Sequence, residues 1–408
     1  MNELKLKKYA ELLVRVGGNV QKGQLVVISC SVDCAYFGRL VMSAAYDAGA
    51  GEVRIDWDDD EAERETFLRA DDKAFEKFPE WRVAKLKEEA DKAAVYLYIN
   101  SSDPDSLADV DTARLEKWEK LVDAATEEHD SLMTNTLRWS VVAVPSPAWA
   151  KKVFPDLPEA EAIEKLWHYI LKCSRADVED PIAAWHAHEA SFKKRVDYLN
   201  EQNFASLRFT TGLGTDLTLG LVENHVWIGG SVSDKNGIKF EPNIPTEEIF
   251  TMPHRQKAEG RVVATMPLNY YGKLIENFEL TFKDGKVVDY KAEKNQDALK
   301  SLLEYCKNGS YLGEVAIVAN SSPIGQLNTI FYNTIYDENA SSHLALGNAY
   351  TFNIKNGYDM TKEERLANGA NVSDIHEDFM FGTADLKVVG IKQDGTEIVF
   401  FENGEFVV

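Results

Sequence analysis

At 408 residues the chain is two to three times the roughly 100–200 residues of an ordinary domain, so two domains, or one with a large elaboration, are expected. Hydrophobic residues at 44% and aromatic residues at 11% exclude a disordered chain, and 25 Gly with 12 Pro are too few for a collagen-like or low-complexity one. With 45 Lys and Arg against 67 Asp and Glu, the net charge of −22 repels phosphate backbones and anionic lipid surfaces, which argues against nucleic acid and membranes as partners.

The first fourteen residues alternate charged and apolar positions at helical spacing and lack the unbroken apolar core of an export signal. No uncharged run approaches the ~20 residues of a membrane helix. Four cysteines (Cys30, Cys34, Cys173, Cys306) do not make a disulfide framework, so a reducing cytoplasm is expected. A strand over 25–29, a helix over 36–48 ending at Gly49, and a strand over 52–56 read as a parallel βαβ unit. A Lys/Glu-rich helix beginning near Pro79 leads to a strand over 93–99, and another strand over 140–144 stops at Pro145-Ser146-Pro147. An open α/β sandwich with a parallel-type sheet follows. Residues 159–200 read as helix, broken at 177–181 because Pro181 pushes its predecessor out of the α region.

That break is the expected boundary between an α/β domain over 1–180 and a β-rich α+β catalytic domain over 181–408. The second part carries short strand patterns over 206–210, 216–221, 262–266, 275–282, 286–292, 314–319, 386–391 and 397–401, with Asp284-Gly285 as a hairpin turn and a helix over 297–307. An antiparallel or mixed sheet, barrel-like in one version, is expected there.

Gly212-Leu213-Gly214 and Gly49-Ala50-Gly51 each lack the third glycine of a dinucleotide fingerprint. No phosphate-wrapping loop and no serine nucleophile elbow is present. Cys30 and Cys34 read as buried thiols. His186 and His188, two apart in a helix, point to nearly opposite sides and cannot chelate one ion together. His129, His168, His225 and His254 read as structural. His376-Glu377-Asp378 differs: in an extended segment His376 and Asp378 share a face, so two ligands can meet one ion. Glu248 stands among apolar residues between Pro245 and Pro253, where a carboxylate needs a compensating charge. Glu314 begins an apolar strand, and His343 follows the polar cluster Asp337-Glu338-Asn339.

Taken together, Asn243-Ile244-Pro245-Thr246-Glu247-Glu248-Ile249-Phe250-Thr251, Gly313-Glu314-Val315-Ala316, the stretch from Asp337 through His343 to Gly347, and His376-Glu377-Asp378-Phe379-Met380 resemble the anchors of one family. It is the thermophilic-type metallo-aminopeptidases, aminopeptidase T or S, of family M29, and the resemblance covers nearly the whole chain. It implies that Glu248, Glu314, His343, His376 and Asp378 are metal ligands and that Tyr350 is an active-site tyrosine. It further implies zinc or cobalt, a homodimer, and peptides with a free amino terminus as substrates. Three carboxylates and two imidazoles, one carboxylate bridging, would hold two divalent ions with positions left for water and substrate. The donor to the oxyanion would be Tyr350, whereas Glu248, Glu314, Glu247 and Glu377 all remain conceivable proton carriers. The competing reading is a non-enzymatic metal- or peptide-binding protein, against which five such donors exceed the four of an ordinary structural zinc site. An α/β enzyme acting on a phosphorylated substrate rests on fold analogy alone.

Overall fold

A computed structural model describes residues 2–101 and 103–408, in two compact units. One comprises Met1–His188 with Ser231–Pro245, the other Glu189–Gly230 with Thr246–Val408.

The first unit holds a four-stranded parallel sheet of β1 (Leu25–Ser31), β2 (Glu52–Asp58), β3 (Val95–Asn100) and β4 (Arg138–Ala143), in the order β2-β1-β3-β4. Its strands are the four expected from the apolar runs. The helix Ala35–Asp47 ends as the glycine predicts: Gly49 takes φ +99°, its N–H reaches Tyr46 O, and Ala50 N–H reaches Ala45 O. These bonds satisfy carbonyls the helix end would otherwise leave open. Cys30 and Cys34 are buried free thiols, pushed up to about 12 and about 11 chiefly by burial, which makes them poor nucleophiles. Helices Glu159–Cys173 and Pro181–Gln202 flank the expected break.

Residues 231–245 return to this unit, an excursion that no composition change announces. They carry the short strands β7 (Val232–Ser233) and β8 (Lys239–Phe240). Val141 on β4 donates to Pro242 O and accepts from Ile244 N–H, so the edge of the parallel sheet is covered. Asp234 faces Arg138 at 3.3 Å with both side chains almost wholly buried.

In the second unit β5 (Ser206–Thr210), β6 (Asp216–Leu221), β10 (Pro253–Val263), β11 (Leu268–Tyr270), β12 (Lys273–Lys283), β13 (Lys286–Lys294), β17 (Lys387–Ile391), β18 (Glu397–Glu402) and β19 (Glu405–Phe406) form an antiparallel sheet. It runs from β11 to β19 without closing, so the barrel-like version is not realised. Asp284 and Gly285 at φ +50° and +84° make the tight β12–β13 turn. A second antiparallel sheet has the order β16-β15-β14-β9, from β9 (Glu248–Thr251), β14 (Leu312–Val318), β15 (His343–Gly347) and β16 (His376–Met380). The core of this unit joins apolar residues of both sheets with Leu299 and Leu302 of helix Gln296–Glu304. Among the described residues no helix is long and apolar enough to cross a membrane.

Candidate metal centre

Strand register assembles the site. On the four-stranded sheet Glu248 pairs with Val318, His343 with Ala316, and His376 with Gly347; Glu314 and Asp378 flank Ala345 in one row. Paired residues, and residues two apart on a strand, project to the same side. All five therefore leave one face of the sheet. The alternate residues Ile249, Val315, Ile317, Leu344, Leu346 and Phe379 enter the hydrophobic core on the other.

Small side chains between them let the long ones meet. Ala316, Ala345 and Gly347 occupy the site face where larger groups would fill the space. At Gly347 the backbone takes φ +107°, and a Cβ there would lie 2.0 Å from Ile375 O, so only glycine fits as β15 ends beside the start of β16.

His343 Nε2 is 3.0 Å from Glu248 Oε2, 3.6 Å from Glu314 Oε1 and 4.0 Å from Asp378 Oδ1. His376 Nε2 is 3.7 Å from Glu314 Oε2 and 3.6 Å from Asp378 Oδ2. Glu314 and Asp378 thus each direct one oxygen to one histidine and the second oxygen to the other. Glu248, Glu314 and His343 offer ligand atoms that all lie within 4.8 Å of one another.

Both imidazoles are oriented from behind. Nδ1 of His343 lies 3.1 Å from Ser341 O, and Nδ1 of His376 lies 2.8 Å from Asn348 O. A carbonyl can only accept, so Nδ1 carries the proton and Nε2 is left to face the carboxylates, the arrangement that metal-binding histidines use.

The donor set fits divalent cations. Glu248 Oε2 and Asp378 Oδ1 are buried without a hydrogen-bond partner, a costly state for carboxylate oxygens unless a cation compensates. In the protein alone the histidines supply that charge. Burial by itself would lower His376, but Asp378 and then Glu314 hold it up at about 10, and His343 is likewise held well above its ordinary value by Glu248 and Glu314. Burial raises Glu314 to about 7, although its bond to His343 opposes this. For Asp378 burial acts upward, but the neighbouring His376 wins and holds the carboxyl below its usual range.

Tyr350 follows β15 and stacks on Phe352 with ring centroids 5.0 Å apart; its ring also lies 4.8 Å from that of His376. Burial, then the carboxylates of Glu314 and Asp378, raise its phenol well above the ordinary value, so it keeps its proton as a hydrogen-bond donor. His186 and His188 lie in helix Pro181–Gln202 and enter no metal-ligand group among the described residues. His225 is buried with Nδ1 2.9 Å from Val222 O.

Two residues of the 337–347 motif had no role assigned from sequence. Glu338 is buried, and burial together with the Glu248 and Asp378 carboxylates raises it well above its ordinary value. Asn339 is fully buried; its Oδ1 accepts from Glu247 N–H at 2.6 Å, and its Nδ2 donates to Ile335 O at 2.9 Å. It thereby ties the residue before Glu248 to the helix Thr334–Glu338. The run of polar residues ahead of His343 is the signal the sequence offers, and only the fold shows that they are buried. A cavity of about 230 Å³ reaches the cluster, with Glu338, His376, Glu377 and Asp378 in its wall.

The model of the thermophilic metalloprotease family M29 matches residues 2–406. Aminopeptidase AmpS of Bacillus subtilis is 43% identical over 403 residues, covering 98% of each chain. Aminopeptidase 2 of Geobacillus stearothermophilus is 44% identical over 405 residues, covering 99% of this chain and 98% of its own. The solved structure of wild-type AmpT from Thermus thermophilus superposes with a TM-score of 0.93 at 36% identity over all of both chains. A cluster of buried carboxylates and imidazoles on a shared fold and relatives matched from end to end lead to one assignment: the chain belongs to the M29 metalloprotease family and is an aminopeptidase, a hydrolase of peptides that depends on divalent metal.

Proposed function

We propose that the chain removes the first residue of short peptides at a two-metal centre held by Glu248, Glu314, His343, His376 and Asp378. The observation that carries this is the double reach of Glu314 and Asp378, each with separate oxygens toward the two histidines. Carboxylates so placed would hold divalent ions together with both imidazoles. Bound divalent ions would supply an acidified water and a polarised scissile carbonyl. Zinc or cobalt is the metal that family resemblance implies, and mixed oxygen and nitrogen donors suit both.

The chain's own groups do the rest. His343 and His376 keep Nε2 forward through their Nδ1 bonds, and the apolar back of the sheet keeps their strands in register. Tyr350 donates to the oxygen that becomes negative as the scissile carbon turns tetrahedral. A proton must reach the leaving amine, and Glu338 joins Glu248, Glu314, Glu247 and Glu377 as a candidate carrier because it is a buried acid at the cluster. A homodimer in the cytoplasm belongs to the same reading, the second part supported by four free cysteines.

Metal analysis of the purified protein is expected to give about two ions per chain, the number two-metal sites require. A chelator should abolish release of free amino acids from di- to tetrapeptides, zinc or cobalt should restore it, and acetylated peptides should be inert. One ion per chain removes the two-metal reading; equal cleavage of acetylated peptides removes the requirement for a free amino terminus.

A further inference from the structure

The cavity beside the cluster has features that the metal centre does not use. At about 230 Å³ it falls below the roughly 300–1,000 Å³ of sites for drug-sized ligands, so it suits one amino-acid residue and not several. Leu268, Leu274, Ile330 and Met380 give it an apolar wall. Two amides complete the lining, Asn269 and Asn333, and the Oδ1 atoms of both are buried without a hydrogen-bond partner.

Each amide is held from its own element. Asn269 lies on β11 opposite Leu274 of β12, which lines the same cavity. Asn333 is placed by Asp337, whose carboxylate accepts from Phe331 N–H at 2.7 Å and from Asn333 N–H at 3.1 Å. The loop bearing Ile330 and Asn333 is thus tied to the short helix that also carries Glu338. Two buried acceptors with nothing to accept from, in a cavity whose remaining polar wall sets Asp337, Glu338, Glu377 and Asp378 against the single imidazole of His376 beside Tyr332 and Thr334, ask for a cationic donor.

We propose that this cavity is the subsite for the substrate's amino-terminal residue. The Oδ1 atoms of Asn269 and Asn333 accept from its α-ammonium, and the apolar wall takes an aliphatic side chain. The assignment rests on the metal-centre reading for the position of the scissile bond. It explains a free amino terminus as a requirement: acetylation removes the charge and the donors that the two amides need.

Isoamylamine, an ammonium on an aliphatic chain with no bond to cleave, is the probe, with isoamyl alcohol as the neutral control and agmatine as the basic-chain control. Calorimetric titration of the metal-loaded protein should show isoamylamine binding at least about tenfold more tightly than the alcohol, since hydrogen bonds from a charged donor are roughly twice as strong as those between neutral groups. Asn269→Leu and Asn333→Leu should each weaken isoamylamine about tenfold and leave the alcohol unchanged, whereas Asn269→Asp and Asn333→Asp, which keep an acceptor, should bind it at least as well as the parent. A purely structural role for the amides would not be rescued by Asp, and loss in the Asp variants overturns the proposal even if the Leu variants do not fold. Equal binding of amine and alcohol overturns it, as does a loss confined to agmatine, which would assign the amides to a basic side chain. Peptide cleavage by the unaltered protein, measured alongside, separates this failure from failure of the metal-centre reading.

Discussion

At the scale of single residues, the proposed ligands and the proposed oxyanion donor should fail in different ways. Replacing Glu314 or His343 with Ala removes an atom that faces the metal space, so turnover should vanish and metal content fall together. Replacing His186 or His188 should leave both nearly intact. Comparable metal loss in the His186 variant would show the wrong histidines had been chosen. Tyr350→Phe keeps the ring that stacks on Phe352 and removes only the hydroxyl, so both ions and KM should persist while kcat falls by ~10²-fold or more. Steady-state kinetics with metal content on the same sample checks this, and an unchanged kcat would reduce Tyr350 to packing.

At the scale of elements, the site is a property of the sheet's register as much as of its ligands. Ala345 stands between Glu314 and Asp378 in one row, and nothing about it is chemically reactive. Ala345→Leu should nonetheless lower metal content and cut activity by ~10–100-fold, the size of effect seen when groups supporting metal ligands are disturbed. Normal metal content in that variant would mean that the face has spare room. In the first unit the return of 231–245 hangs on Asp234, which pairs with the buried Arg138 and accepts from Asn236 and Ile238 N–H. Asp234→Ala leaves a buried guanidinium without its counter-ion. Breaking such a pair costs ~3–5 kcal/mol, and the low end is expected because Arg138 also donates to Gly18 O and Asn19 O. A lowered urea midpoint for this unit is the readout.

At the scale of the whole molecule, the charge of −22 opposes self-association at low salt, so a homodimer needs an interface that outweighs it. Light scattering in physiological salt should give twice the 45.8 kDa of one chain, and the single-chain mass would remove the dimer from the reading. The same negative field makes a cationic peptide terminus a better visitor than an anionic one.

The sequence by itself determined the parts that are local. Apolar runs punctuated by Gly and Pro marked the four parallel strands, Asp284-Gly285 marked a turn, and His376-x-Asp378 stated that two donors share a face, because backbone sterics and strand alternation act over a few residues. Strand β15 shows the limit. In His343-Leu-Ala-Leu-Gly347 the alternation of small and large residues is visible in hindsight, yet three neighbours on each side leave a strand of five residues without a distinct signal. Only the tertiary structure decided that Glu314, Ala345 and Asp378, from three strands separated by long stretches of chain, form one row. Non-local pairing carries no mark in either partner, since each strand's pattern specifies which face is buried and not which strand lies beside it. The same holds for Glu338 and Asn339, which read as a polar cluster ahead of His343 until burial shows what they face, and for 231–245, whose Asp234 meets Arg138 nearly a hundred residues earlier.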